Sequence, residues 1–262
     1  MKEYFVITDV HSYYSIMMDS LKEKGFDINN PEHIIISCGD NFDRGEESKQ
    51  MLDFLYNLLS ENRVYLIKGN HETLFQEMLY KNVPEQHDFT NGTTKTLKDI
   101  SPLRPGWEAF SDFDVLWNFG WMKENYDKRI DEIISKSIDY LETEKYIFVH
   151  GWIPFNVHDY LYDPEWRTGD WDNARWVNGI DCWKRGIRVQ DKTIICGHWH
   201  CSWGWSHIRQ QRKEFPKLES KNWKESFEPF IDDGIIALDA CTAYSKISNV
   251  LHFTEEELGR IL

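Results

Sequence analysis

Five short apolar runs recur along the chain: Tyr4-Phe5-Val6-Ile7, Ile34-Ile35-Ile36, Val64-Tyr65-Leu66-Ile67, Tyr146-Ile147-Phe148-Val149 and Thr193-Ile194-Ile195-Cys196. Each reads as a strand. Between them polar and apolar positions switch to helical spacing, over residues 15–24, over 48–59 with Met51, Leu52, Leu55, Leu58 and Leu59 on one face, over 71–80, and over 123–141 with Ile130, Ile133, Ile134 and Ile138 in step. Strands alternating with helical patterns predict βαβ units and a parallel sheet. Further strand signals at 234–239 and 247–253 extend the sheet system into a second layer, and Thr254 with Glu257 fits a capping box that opens a short terminal helix.

Two stretches break the alternation. Residues 82–106 are rich in Pro, Asn, Thr, Gly and Asp with little periodicity, which predicts an irregular loop, and loops of that length in compact domains are usually functional or disordered. Together with the helix that follows, they form an expected insertion at about 82–141, near the site. A second insertion at about 153–191 is full of Trp, Asp and Arg. All twelve tryptophans lie between Trp107 and Trp223, and bulky aromatics of this kind anchor insertions that have little regular structure. A sharper alternative has Trp199, Trp203 or Trp205 stacking on a nucleobase.

The chemistry lies just past each apolar run. The second run ends in Cys38-Gly39-Asp40-Asn41-Phe42-Asp43-Arg44-Gly45, with two carboxylates and a guanidinium inside five residues. The others end in Thr8-Asp9-Val10-His11, Gly69-Asn70-His71-Glu72, His150-Gly151 and Gly197-His198-Trp199-His200. Open α/β sheets bind ligands just beyond the carboxyl ends of their strands, so charge placed there reads as a site. One such tip is weak evidence because short motifs match by chance; five in one chain are hard to dismiss.

Composition sets the bounds. Apolar residues at 41% suffice for a substantial core, and 28% charged residues fit a soluble globular chain. No apolar run reaches the ~18–20 residues that cross a bilayer, and the chain enters a strand at once, so no membrane association and a cytoplasmic location are expected. The five cysteines show no paired spacing and predict no disulfides. A formal charge of −14 argues against long nucleic acid as partner, because that binding is driven by Lys and Arg releasing counterions. It does not exclude a phosphorylated substrate, since divalent cations reverse the local field.

In this order Asp-x-His, Gly-Asp-x-x-Asp-Arg-Gly, Gly-Asn-His-Glu, His-Gly and Gly-His-x-His resemble the signature of calcineurin-like metallophosphoesterases, the family of phosphoprotein phosphatases and diadenosine tetraphosphatases. The likeness runs from residue 4 to about 200, and Ala237-Leu238-Asp239-Ala240 resembles the family's closing strand. It implies an α/β fold, a two-layered mixed β-sheet sandwich flanked by helices, as one domain over residues 1–262. It also implies a phosphatase acting on phosphomonoesters, phosphoprotein or small-molecule, with hydrolysis of dinucleoside polyphosphates or phosphodiesters as the rival and a non-catalytic scaffold as a distant third.

The resemblance implies two divalent ions, Mn, Fe or Zn, because carboxylate, carboxamide and imidazole together suit such metals. One would take Asp9, His11, Asp40 and His200, the other Asp40, Asn70, His150 and His198, with Asp40 bridging. Water activated by the pair would attack phosphorus without a protein nucleophile. His71, oriented by Asp43, would protonate the leaving oxygen, and Arg44 would bind phosphate oxygens with a fixed fork. A second phosphate-binding Arg is expected at Arg175, with Arg167 or Arg185 as alternatives. Thr8, Ser12 and Trp152 stand where the family carries glycines and are expected to narrow the mouth of the site. His33, His87, His158, His207 and His252 fit no motif and read as structural.

Overall fold

Residues 1–107, 111–211 and 226–262 are described by a computed structural model. In chain order the elements are β1 (Glu3–Ile7), α1 (Tyr14–Glu23), β2 (His33–Ser37), α2 (Ser48–Ser60), β3 (Val64–Leu66), α3 (Asn70–Tyr80), α4 (Gln86–Asn91), α5 (Thr93–Asp99), α6 (Asp112–Asn125), α7 (Arg129–Lys136), β4 (Leu141–Glu142) and β5 (Tyr146–Phe148). They continue as β6 (Phe155–Asn156), β7 (Leu161–Tyr162), α8 (Trp171–Ala174), α9 (Gly179–Lys184), β8 (Thr193–Cys196), α10 (Cys201–Gln211), β9 (Phe230–Asp232), β10 (Ile235–Ala237), α11 (Thr242–Ser245), β11 (Leu251–Thr254) and α12 (Glu255–Leu258).

The strands build two mixed sheets, ordered β11-β1-β2-β3 and β4-β5-β8-β10-β9. In the first, β1, β2 and β3 run parallel, with Tyr4 opposite Ile34 and Ile36 opposite Tyr65, and β11 closes the edge antiparallel. In the second, β5, β8 and β10 run parallel between antiparallel β4 and β9. Successive side chains of a strand point to opposite faces, and that period of two sorts the core into layers. Tyr4, Val6, Ile34 and Ile36 from one sheet meet Phe148 and Ile195 from the other, which makes the sandwich. Phe5, Ile7 and Ile35 face the other way, onto Met17 and Leu21 of α1, Leu52 and Leu55 of α2, and Ile130 and Ile133 of α7. Ile147 and Ile194 face Ile180 and Trp183 of α9 and the indoles of Trp152, Trp166 and Trp171. The layers are therefore helix, sheet, sheet, helix, as the resemblance implies, and the parallel strands deliver their carboxyl ends to one region.

Three local expectations need correction. The predicted loop at 82–106 contains α4 and α5, separated by Gly92 at φ +86. Helices of 6 and 7 residues are too short to show a hydrophobic period, and they are held by packing rather than propensity. The predicted helix at 123–141 is the end of α6, a break, and α7. Tyr126 turns extended at ψ 160, and the Asp127 carboxylate accepts the Arg129 N–H, which starts the new helix. Ile138 lies beyond α7 and bridges to Ile67 instead of continuing the helical face. The strand signal at 247–253 resolves into the shorter β11.

The terminal helix α12 opens as expected, with Thr254 accepting from the Glu257 N–H while Glu257 reaches back to the Thr254 N–H. In the second insertion Trp166 and Trp171 are buried in the core beside α8 and α9, which is the anchoring role. Trp205 is likewise taken: its Nε1–H donates to the Glu228 carbonyl and its ring packs edge-on to Phe230. Trp223 lies outside the described residues. Among the described residues, no helix is long and apolar enough to cross a membrane.

Candidate metal centre

Three of the five motif-bearing tips, those after β1, β2 and β8, fold with unusual backbone. Asp9, His11, Asp40, Asp43, Arg44 and His198 all sit at φ between 47° and 75°, the left-handed region that side chains with a Cβ rarely enter. Each such residue costs on the order of 1–3 kcal/mol and persists only where its surroundings over-determine it. Here close approach does the determining. A Cβ on Gly69 would overlap the Asp40 carboxylate, and one on Gly197 would overlap that of Asp9, so these glycines let the β3 and β8 tips touch the acids of β2 and β1.

A buried carboxylate that the motif reading left without a role ties the tips together. Glu72, in the first turn of α3, accepts the N–H groups of Asp40 (3.0 Å) and Gly69 (2.9 Å) on one oxygen. Its other oxygen accepts from the N–H (3.0 Å) and Nδ2 (3.2 Å) of Asn41. Asn41 in turn takes the Ser37 hydroxyl at the end of β2.

Asp40, 2% exposed, is the hub. Its Oδ1 lies 3.4 Å from His150 Nε2, and its Oδ2 lies 3.8 Å from His11 Nε2 and 3.9 Å from His71 Nε2. Two groups of donors could therefore each hold an ion: His11, Asp40 and His71 on one side, and Asp40, His150 and His198 on the other. The Asn70 amide oxygen joins the second, 2.8 Å from His150 Nε2.

The hydrogen bonds of the rings test whether cations fit. His150 offers Nδ1–H to the Cys38 carbonyl (2.8 Å) and His11 offers Nδ1–H to the Phe42 carbonyl (2.9 Å). His198 gives Nε2–H to the Trp176 carbonyl at 3.0 Å. Each ring is fixed in one tautomer with its remaining nitrogen lone pair turned to the Asp40 side, the outer arrangement that orients metal-binding imidazoles. Lone pairs then face carboxylate and carboxamide oxygens, a concentration of acceptors that favours positive charge. The donor set fits divalent metal.

Titration follows the same logic. Burial resists charge on His150, but the carboxylates of Asp40 and Asp9 overcome it and hold a proton there up to about 10. Burial raises Asp9 to about 6 despite His150. Burial, reinforced by His150, lowers His198 to about 4, and burial with His71 and Arg44 keeps His11 well below the usual imidazole value. Burial opposes ionisation of Asp40, and the surrounding histidines, His150 first, override it and hold it well below the usual carboxylate value. A divalent ion would take the place of the His150 proton.

Beside the hub stands a second arrangement. His71 gives Nδ1–H to Asp43 Oδ2 at 2.6 Å, and its Nε2 lies 3.2 Å from a guanidinium nitrogen of the exposed Arg44. Burial disfavours the charged ring, yet Asp40 and Asp43 raise its pKa above the ordinary value.

Most of the expected residues converge, with exceptions. Asp9 points its carboxylate at the His198 N–H (2.9 Å) and at the Thr8 hydroxyl, within electrostatic reach of Asp40 and His150 but outside both compact donor groups. His200, half-buried, also stands outside them, its ring toward Phe227. Arg175 is buried and commits its guanidinium to Asp139 and Asp172. The alternatives are also engaged, Arg167 with Glu142 and Arg185 over the Tyr160 ring. Thr8, Ser12 and Trp152 do not narrow a mouth: all three are buried. Thr8 steadies the Asp9 carboxylate, Ser12 accepts from Ser48, and Trp152 donates to the Ile187 carbonyl inside the core.

The chain belongs to the calcineurin-like phosphoesterase family, which it matches over residues 4–229. It is similar to the asymmetrical bis(5'-nucleosyl)-tetraphosphatase PrpE of Geobacillus sp. (strain WCH70), 29% identical over 111 residues. That stretch is 40% of this chain and 44% of the relative, so the match spans less than half of either. Among solved structures, a cold-active protein-tyrosine phosphatase of a psychrophilic Shewanella sp. aligns over 100% of this chain and 77% of its own, at 14% identity and a TM-score of 0.51. A candidate diadenosine tetraphosphatase aligns over 100% and 92%, at 12% identity and 0.50. At such identities the structures speak for the fold alone.

Proposed function

We propose that the chain is a metal-dependent phosphoric ester hydrolase whose preferred substrates are phosphomonoesters, on phosphoproteins or small molecules. The observation that carries this reading is the Asp40 carboxylate, whose two oxygens face separate sets of imidazoles with lone pairs turned inward. His11 and Asp40, joined by Asp9 and His200 once an ion draws them in, would hold one ion; Asp40, Asn70, His150 and His198 would hold the other. Bound there, Mn, Fe or Zn ions supply Lewis-acid charge and lower the pKa of water.

The chain's own groups do the rest. Arg44 is exposed beside the hub and presents a planar fork to phosphate oxygens. His71, its Nδ1–H fixed on Asp43, keeps Nε2 as the atom that gives a proton to the leaving oxygen. Both insertions serve the same domain in this reading, since α5 contacts Asp43 and the Trp176 carbonyl orients His198. With a net charge of −14, extended polyanions such as long RNA are repelled, and one terminal phosphate is favoured.

A second reading, hydrolysis of dinucleoside polyphosphates, is favoured by aromatic rings at the rim. Trp176 and Trp203 are each 47% exposed; Trp176 stands edge-on to His198, and Trp203 packs against Trp199 next to it. The PrpE relative's name points the same way. The test compares kcat/KM at fixed Mn²⁺ for a phosphoserine peptide, a nucleoside monophosphate, diadenosine tetraphosphate and nitrophenyl phosphate. Phosphomonoesters should lead. A tenfold lead for diadenosine tetraphosphate, about 1.4 kcal/mol of transition-state preference, that vanishes in Trp176→Ala or Trp203→Ala would reverse the order.

A further inference from the structure

The far side of Asp43 is closed by the first insertion. Gly92 starts α5 at φ +86, and a Cβ there would overlap the Arg44 backbone nitrogen, so the helix can press directly on the Asp43–Arg44 turn. From that helix Thr96 Oγ1 accepts the Asp43 N–H at 2.9 Å and donates its own proton to Asp43 Oδ1 at 2.7 Å. Thr93 donates to Oδ2 at 3.1 Å, the same oxygen that receives His71 Nδ1–H at 2.6 Å. Both threonines are fully buried and lie three residues apart on one face of α5. The carboxylate is thereby held at both oxygens and at its own N–H, and it cannot rotate about its side-chain bonds without breaking one of these contacts. Asp43 also has a left-handed backbone at φ 75, which the same contacts sustain.

We propose that Thr93 and Thr96 are positioning residues for proton delivery: by fixing the Asp43 carboxylate they fix the ring of His71 and so the direction of its Nε2. The inference rests on the reading of His71 as the acid. Its consequence is selective. Departure of a poor leaving group needs the proton in place, whereas nitrophenolate leaves with little help, and general acid catalysis contributes on the order of 10²–10⁴-fold.

The experiment uses Thr93→Val, Thr96→Val, their combination, the double Ser variant and His71→Ala, each saturated with Mn²⁺ and checked for metal content. Valine keeps the volume and removes the hydroxyl; serine keeps the hydroxyl. The double Val variant should lose about tenfold or more in kcat on glycerol phosphate with KM unchanged, and lose under about threefold on nitrophenyl phosphate, while the Ser variant behaves as the parent. Equal losses on both substrates, or no loss on glycerol phosphate, overturn the proposal. Should the double Val variant fold poorly, Thr93→Val alone decides, because it leaves both Thr96 bonds in place. A selective loss in His71→Ala without one in the threonine variants sinks this inference and spares the acid reading. Unselective loss in His71→Ala sinks both.

Discussion

Glu72→Gln isolates what holds the site together, because it changes one buried oxygen to an NH₂ group and leaves size and shape alone. In the parent, one oxygen takes the N–H groups of Asp40 and Gly69 and the other takes the N–H and side-chain amide of Asn41. The glutamine can accept at one oxygen only, and its NH₂ must face two donors. Two buried donors are then left without acceptors. At about 1–3 kcal/mol for each unsatisfied buried group, the loss is ~2–6 kcal/mol. For a domain of this size about 2–4 °C of melting temperature goes with each kcal/mol, so the midpoint should fall by roughly 4–24 °C. Because the Asp40 N–H bond helps sustain a left-handed backbone at φ 55, affinity for divalent metal should weaken as well. Calorimetric melting in chelator reads the first effect, and Mn²⁺ titration reads the second. A midpoint within about 2 °C of the parent, with unchanged Mn²⁺ affinity, would show that Glu72 does not bear the strain of the β2 tip.

Asp40→Asn should remove most turnover and weaken binding of at least one ion; metal content and rate both equal to the parent would end the two-ion reading. His71→Ala should cost an alkyl phosphate roughly 10²–10⁴-fold and an aryl phosphate less, read as kcat/KM on the two esters, and equal losses would deny the acid role. The metal-free protein should lose stability as pH rises from about 6.5 to 8.5. His150, held up to about 10, and His71, raised by Asp40 and Asp43 against burial, bind protons in the folded state that the unfolded state has released, at up to about 1.4 kcal/mol per pH unit for each proton. That contribution is complete below the unfolded value and is lost as pH rises through the folded one, so melting in chelator should fall across the window. Saturating Mn²⁺ should flatten the slope, since metal takes the place of the His150 proton; a metal-free midpoint flat over that range would contradict it.

The strands and the polar residues at their tips are legible in the sequence because each rests on adjacent residues: an apolar run makes a buried strand whatever surrounds it, and the charge at its end travels with it. The illegible features rest on contacts between distant segments. Thr8 reads as an obstruction because nothing beside it in the chain shows that its hydroxyl is buried against the Cys38 carbonyl, 30 residues later. Arg175 reads as a phosphate ligand because its carboxylate partner Asp139 lies 36 residues earlier. The segment at 82–106 reads as irregular because α4 and α5 are each about two turns long and Gly92 breaks their register.

One gap could have been closed by counting donors. An ionised carboxylate offers about four lone-pair positions, and a buried one finds donors for them. If His71 supplies one donor to Asp43, the others must come from elsewhere, and in the proposed function Arg44 is kept for the substrate. The strands are already committed to the sheets, so the missing donors belong to an insertion, and the first one carries Thr90, Thr93, Thr94 and Thr96 within seven residues. Their number points to a hydroxyl-rich surface laid against buried charge. Which two of them face Asp43 is decided by helical spacing, since only a pair three apart on one side of α5, Thr93 and Thr96, reaches both oxygens at once.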